Sequence, residues 1–210
     1  MLKIKSGDKI LFTGDSITDC GCSASENINF LGHGYPVFIA ALLGARKPEL
    51  ELTFVNTGIS GHRVCDLKGR WERDVINHKP NVVSILIGIN DVASRYSCDT
   101  PKSALEFEEE YRFILEKTRK ELPGTGIILM EPFVLPLPED RRLWRDDLDK
   151  KLQVVRDLAA ELADVLIPLD GIFNTAACRR EKSFWTPDGV HPTPAGHALI
   201  AENWIASVSF

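Results

Sequence analysis

Apolar runs of strand length alternate along this chain with stretches of helical period, and that alternation restricts the fold more than any other feature. The runs at 9–13, 52–56, 82–88, 126–131 and 164–168 are mostly unbroken rather than alternately polar and apolar. A strand of that kind is buried on both faces, which calls for a parallel sheet covered by helices on either side. Between the runs, Val37, Ala40, Ala41 and Leu43 repeat at helical spacing, and Leu67, Trp71, Val75 and Ile76 mark a second helix. A third, over 103–122, sets Leu105, Tyr111, Ile114 and Leu115 against the charged Glu106, Glu108, Glu109, Glu110 and Arg112. Two more are expected over about 140–163 and from Thr193 through Leu199, Ile200 and Trp204. No repeat, linker or low-complexity tract interrupts the pattern. With 210 residues, 44% of them hydrophobic, the expectation is a single α/β/α domain over 1–210.

The net charge is −5 and no Lys/Arg run stands out, which speaks against nucleic acid or an anionic membrane as partner. The N-terminus lacks the apolar core of a signal peptide, and the longest apolar stretches, such as 82–87, are too short to span a bilayer. The five cysteines (Cys20, Cys22, Cys65, Cys98, Cys178) are odd in number and form no CxxC pair, so no metal site is expected. Reduced thiols in a cytoplasmic protein fit best, although Cys20 and Cys22 stand close enough to Ser16 to leave a reactive thiol open.

Four short motifs follow strand or loop positions. Gly14-Asp15-Ser16 comes directly after Ile10-Leu11-Phe12, so a serine hydroxyl and its N–H sit at the carboxyl edge of the sheet, where open α/β folds bind ligands. Serine needs a base, a carboxylate to orient that base, and donors for the oxyanion. Asp188-Gly189-Val190-His191 supplies a carboxylate and an imidazole three residues apart. Asn56-Thr57-Gly58-Ile59-Ser60-Gly61 and Gly88-Ile89-Asn90-Asp91 supply a backbone N–H unhindered by a side chain at Gly61 and an amide at Asn90. Each motif has a bland explanation: Pro187-Asp188-Gly189 as a turn, Thr193-Pro194 as a helix start, Gly61 as a tight turn, Asn90 as a cap. Turns alone do not account for all four in the order Ser, Gly, Asn, Asp-x-x-His.

With these motifs the chain resembles the SGNH (GDSL-type) esterase superfamily over nearly its whole length, from Gly14-Asp15-Ser16-Ile17-Thr18-Asp19 to Asp188-Gly189-Val190-His191-Pro192. Ile17 stands where the name expects leucine, a conservative departure. The resemblance implies a flavodoxin-like three-layer sandwich with a five-stranded parallel sheet. It makes Ser16 the nucleophile, His191 the base and Asp188 its orienting partner, with the Ser16 N–H, Gly61 and Asn90 as the oxyanion hole and no cofactor or metal. Within the superfamily the chain looks most like intracellular bacterial acetylxylan esterases acting on short xylo-oligosaccharides. That likeness rests on Gly58-Ile59-Ser60-Gly61, Asp66-Leu67-Lys68-Gly69-Arg70-Trp71 and Ile87-Gly88-Ile89-Asn90-Asp91-Val92. The implied partner is a small ester or an acetylated oligosaccharide. Oligomeric state stays open, a homo-oligomer being one candidate by the same likeness.

Asp15, Arg63 and Trp185 are further candidates for substrate contact, each with a structural alternative: a turn former, an exposed arginine, a half-buried packing tryptophan. The Pro-rich segment 132–138 must run as a loop and either walls a substrate pocket or merely connects two elements. His33, His62, His78 and His197 read as loop or helix-surface residues. Rival functions are the same chemistry on a lysophospholipid, thioester or aryl ester, a nucleotide- or flavin-binding module of flavodoxin-like topology, and a non-catalytic sugar-binding relative. A phosphate-cradling GxGxxG or GxxxxGK[ST] loop is missing after the first strand, and a non-catalytic relative would be expected to have lost Ser16 or His191.

Overall fold

The structure, a computed structural model, describes residues 1–25, 27, 30–97 and 101–210. Cys98, counted among the unpaired thiols above, lies outside the described residues. In chain order the strands are β1 (Leu2–Lys3), β2 (Lys9–Gly14), β3 (Thr53–Asn56), β4 (Val82–Leu86), β5 (Gly126–Met130), β6 (Val165–Ile167) and β7 (Val208–Ser209). The α-helices are α1 (Ser16–Asp19), α2 (Tyr35–Arg46), α3 (Val64–Asp74), α4 (Ile89–Ser97), α5 (Ala104–Glu121), α6 (Arg145–Leu162), α7 (Leu169–Ala177), α8 (Lys182–Trp185) and α9 (Pro194–Ala206).

Five strands form a parallel sheet in the order β3-β2-β4-β5-β6, the expected sandwich with the flavodoxin strand order. β4 and β5 are buried at every position, which explains their unbroken apolar sequences; the edge strands β3 and β6 are only partly buried. The alternation of side chains sorts the core into two layers. Ile10, Phe12, Leu86, Ile128 and Met130 face α2 and α9, where Trp204 donates its indole N–H to Ser84 Oγ across 3.0 Å. Leu11, Val83, Ile85, Ile127 and Leu129 face α3 and α5, where Trp71 donates to Thr118 Oγ1 at 3.0 Å.

Helix α5 starts where its sequence says it should: Ser103 Oγ accepts the Glu106 N–H while Glu106 reaches back to the Ser103 N–H, a reciprocal capping box. The helix expected over 140–163 is instead a 3₁₀ turn at Glu139–Trp144 followed by α6. No helix among the described residues is long and apolar enough to cross a membrane.

Candidate active site

β2 ends at Gly14 in a turn that only glycine fits, because a Cβ there would lie 2.1 Å from the Leu86 carbonyl oxygen and 2.6 Å from Thr18 Oγ1. Asp15 caps the short helix α1, its Oδ1 accepting the Ile17 N–H at 3.0 Å. Ser16 is thereby the first helical residue, and its Oγ stands 2.9 Å from His191 Nε2. The other ring nitrogen, Nδ1, lies 2.7 Å from Asp188 Oδ2, while Asp188 Oδ1 accepts the N–H groups of Val190 at 3.0 Å and His191 at 2.8 Å. Only Nδ1–H can donate to a carboxylate, so the pairing leaves the Nε2 lone pair aimed at the serine hydroxyl. Partial burial works to raise the Asp188 pKa, but the bonds from the His191 ring and the two backbone N–H groups outweigh it and hold the carboxyl below its usual range. His191 is held three residues before α9, whose start is fixed by Thr193 Oγ1 accepting the Gly196 N–H and by Pro194.

The loop between β3 and α3 carries Gly61 at φ +80°. Its near side is tied to the serine turn: Ile59 N–H donates to Gly14 O at 3.1 Å, and the Ser60 N–H and hydroxyl both donate to Asp19 Oδ2. Its far side is tied to α4, where Asn90 Nδ2 donates to the His62 carbonyl at 3.0 Å. A side-chain amide has two hydrogens, so one remains for an incoming oxygen. The turn with Ser16, the loop with Gly61 and the helix with Asn90 are therefore one contiguous hydrogen-bonded unit.

The residues that build this unit escaped the sequence reading. Asp19 accepts from Ser23 and Ser60, and these bonds overcome partial burial to keep its pKa low. Asn56 donates to the carbonyls of Thr18 and Leu31 and accepts from the Gly58 N–H. The buried Arg70 bonds Gly14 O, Thr57 O, His62 Nδ1 and Asp74. Its i,i+4 spacing to Asp74 was the only local signal available.

The readings of Asp15 and His197 need correction, and the other candidates take the places given with them. Asp15, a candidate for substrate contact, is 1% exposed and turned into the protein, so it has no surface to offer a substrate. Arg63 is half-buried and sits at the start of α3, its N–H donating to Asp66 Oδ2. Trp185 is half-buried on α8, meets Phe184 edge to face at 4.9 Å, and packs on the α9-side core. In the Pro-rich loop, Phe133, Val134 and Leu135 plug into the core, and Leu135 N–H donates to Gly189 O beside Asp188. That loop braces the Asp188–His191 loop from behind. His197 is buried rather than on a surface: its Nδ1 accepts the Tyr35 N–H, and burial pulls its pKa down to about 4. Cys20 and Cys22 are free thiols whose pKa values burial raises, the opposite of an activated nucleophile.

A sequence profile of GDSL-like lipase/acylhydrolase proteins matches residues 12–199, from within β2 into α9. The chain belongs to the GDSL-like lipase/acylhydrolase family. It is a carboxylic ester hydrolase. The acetylxylan esterase of Geobacillus stearothermophilus is 39% identical to it over 214 residues, covering 100% of this chain and 97% of that one. The crystal structure of Axe2, an acetylxylan esterase from Geobacillus stearothermophilus, matches with a TM-score of 0.84 at 37% identity, over 98% of this chain and 95% of the other. A putative GDSL-like lipase from Parabacteroides merdae superposes with a TM-score of 0.92 at 35% identity, over 97% of each chain.

Burial also pushes two carboxyls near the site, Asp15 and Asp91, up from 3.8 to about 7. A raised folded-state pKa favours the folded protein while the group is neutral, and that advantage is lost as pH climbs from 3.8 through about 7. The Asp91→Asn variant is neutral throughout. Its melting temperature relative to wild type is expected to rise between about pH 5 and about pH 8. A constant difference across that range in parallel thermal melts would contradict the shift.

Proposed function

We propose that this protein is a cytoplasmic serine esterase, acting as one domain, that removes acetyl groups from short oligosaccharides of the xylo type through an acyl-enzyme. The observation that carries the proposal is the relay from Ser16 Oγ through His191 to Asp188 at 2.9 and 2.7 Å. In the first half-reaction His191 Nε2 takes the serine proton as Oγ attacks the acetyl carbonyl. The oxyanion settles among the Ser16 N–H, the Gly61 N–H and the Asn90 amide, and the imidazolium returns its proton to the departing sugar oxygen. Water then repeats the sequence on the acetyl-serine, releasing acetate and restoring the hydroxyl. Asp188, kept ionised, stabilises the imidazolium in both halves.

Support for the triad also comes from the relative. Structures of Axe2 include three catalytic mutants, in which a serine, an aspartate and a histidine three residues beyond that aspartate are each replaced by alanine. Support for a bulky alcohol comes from the setting. The His191 side chain is 53% exposed, so the reacting atoms lie at an open surface that a sugar chain can approach. Two cavities of about 380 Å³ are lined by other residues, one by Ile172 and Leu199, the other by Cys22, Asn56 and His78.

The test is hydrolysis of p-nitrophenyl esters of graded length beside acetylated xylo-oligosaccharides. The acetyl ester is expected to exceed the octanoyl ester in kcat/KM by at least about ten-fold, a difference of about 1.4 kcal/mol in transition-state binding. The oligosaccharides should be deacetylated. A preference for long acyl chains, or indifference to the acetylated sugar, would turn the reading to a lysophospholipase or thioesterase.

A further inference from the structure

Among the buried polar atoms that stand without a hydrogen-bond partner are Thr13 Oγ1, Asp15 Oδ2, Asp91 Oδ1 and the Tyr111 hydroxyl. The four residues are at most 1% exposed. Thr13 pairs in register with Ile85 of the α3/α5 face, Tyr111 projects from α5 into the same layer, and Asp91 Oδ2 takes the N–H of Val64 at the start of α3. The Tyr111 hydroxyl loses acidity through burial first, and then through the charges of both Asp91 and Asp15. It therefore lies within the field of each carboxyl. A buried polar atom left unpaired costs about as much as a lost hydrogen bond, so several converging under one sheet edge signal a shared network.

We propose that Asp15, Asp91 and Tyr111 form one positioning unit, joined at the tyrosine hydroxyl over a buried water, that locks the Ser16 turn to the Asn90 helix. The unit rests on the oxyanion-hole assignment proposed above. Each carboxyl spends one oxygen on a backbone N–H beside the site: Asp15 Oδ1 on Ile17, next to Ser16, and Asp91 Oδ2 on Val64, where the loop that carries Gly61 enters α3. Their other oxygens turn inward. Asp91 is also the chain neighbour of Asn90, so all three oxyanion donors hang from this unit although none of its members touches substrate. A hydroxyl suits the link because it donates to a carboxylate and accepts from a carboxylic acid. Both carboxyls are raised to about 7 chiefly by burial, so each keeps its proton well above the usual carboxylate range. The charged or titratable groups facing Asp15 are His191, Tyr35 and Tyr111; those facing Asp91 are Lys151, Arg63, Glu110 and Tyr111.

Tyr111→Phe deletes one oxygen inside the core and leaves every donor and triad group in place. It is expected to lower kcat for p-nitrophenyl acetate by about ten-fold with KM unchanged within about two-fold. Asp15→Asn should lower kcat as well, and the Asp15→Asn/Tyr111→Phe double variant should be no worse than the worse single one, because both break the same link. If Asp15→Asn fails to fold by circular dichroism, Asp91→Asn takes its place in the cycle. Wild-type kcat in Tyr111→Phe, a loss confined to KM, or losses that multiply in the double variant would overturn the unit. Asn90→Ala assayed alongside separates the two readings. A large kcat loss there with a multiplicative cycle removes this unit alone, whereas full activity in Asn90→Ala removes the oxyanion hole and the unit with it.

Discussion

Replacing Ser16 by alanine is expected to lower ester hydrolysis by roughly 10⁴-fold or more while the protein remains folded. The fold is spared because the hydroxyl makes its contact with His191, whereas helix α1 is capped by Asp15 and the turn is set by Gly14. His191→Ala should cost about as much, since without a base the hydroxyl is as poor a nucleophile as any other serine. The double variant should be little worse than either, because the pair acts as a unit. Asp188→Asn should lose less, as its part is to orient the ring and stabilise the imidazolium. More than a few per cent of wild-type rate in a purified Ser16→Ala sample would place the nucleophile elsewhere.

Asn90→Ala is the second large effect, an expected drop in kcat of roughly 100-fold to 1000-fold with little change in KM. The reasoning is that the Asn90 amide meets a negative charge that exists only in the transition state, so ground-state binding does not depend on it. One of its hydrogens is already committed to the His62 carbonyl, which fixes the direction of the other. Steady-state kinetics decide the matter. A rise in KM at constant kcat would make Asn90 a ground-state binder.

Much of this was legible in the chain because burial on both faces leaves an unmistakable signature. β4 and β5 read as strands from Val82 and Gly126 onward since every side chain in them meets a helix layer. The pairing of β1 with β7 joins Leu2 to Val208, and two-residue strands with partners at opposite ends of the chain leave no periodicity to detect. Helix α7 was missed for a related reason: its nine residues follow β6 with only Pro168 between them, too short to set up a period. In the site, Ser16, Asp188 and His191 were legible because each stands in a motif whose spacing carries the chemistry. Asp19, Asn56 and Arg70 were not, because their partners lie far away in sequence and only the folded sheet brings them together. Asp15 illustrates the limit most sharply. Its neighbour Ser16 reaches His191, while the strand-to-helix turn sends the Asp15 side chain the other way, into the protein.

The central claim is that Ser16 is the nucleophile, and covalent labelling tests it most directly. A p-nitrophenyl phosphonate ester takes attack at phosphorus, expels nitrophenol and leaves an adduct that resists hydrolysis. Peptide mass mapping of the treated enzyme is expected to find one phosphonyl group, on Ser16, and none in the Ser16→Ala variant. Inactivation with the label on Cys20, Cys22 or any other residue would contradict the account.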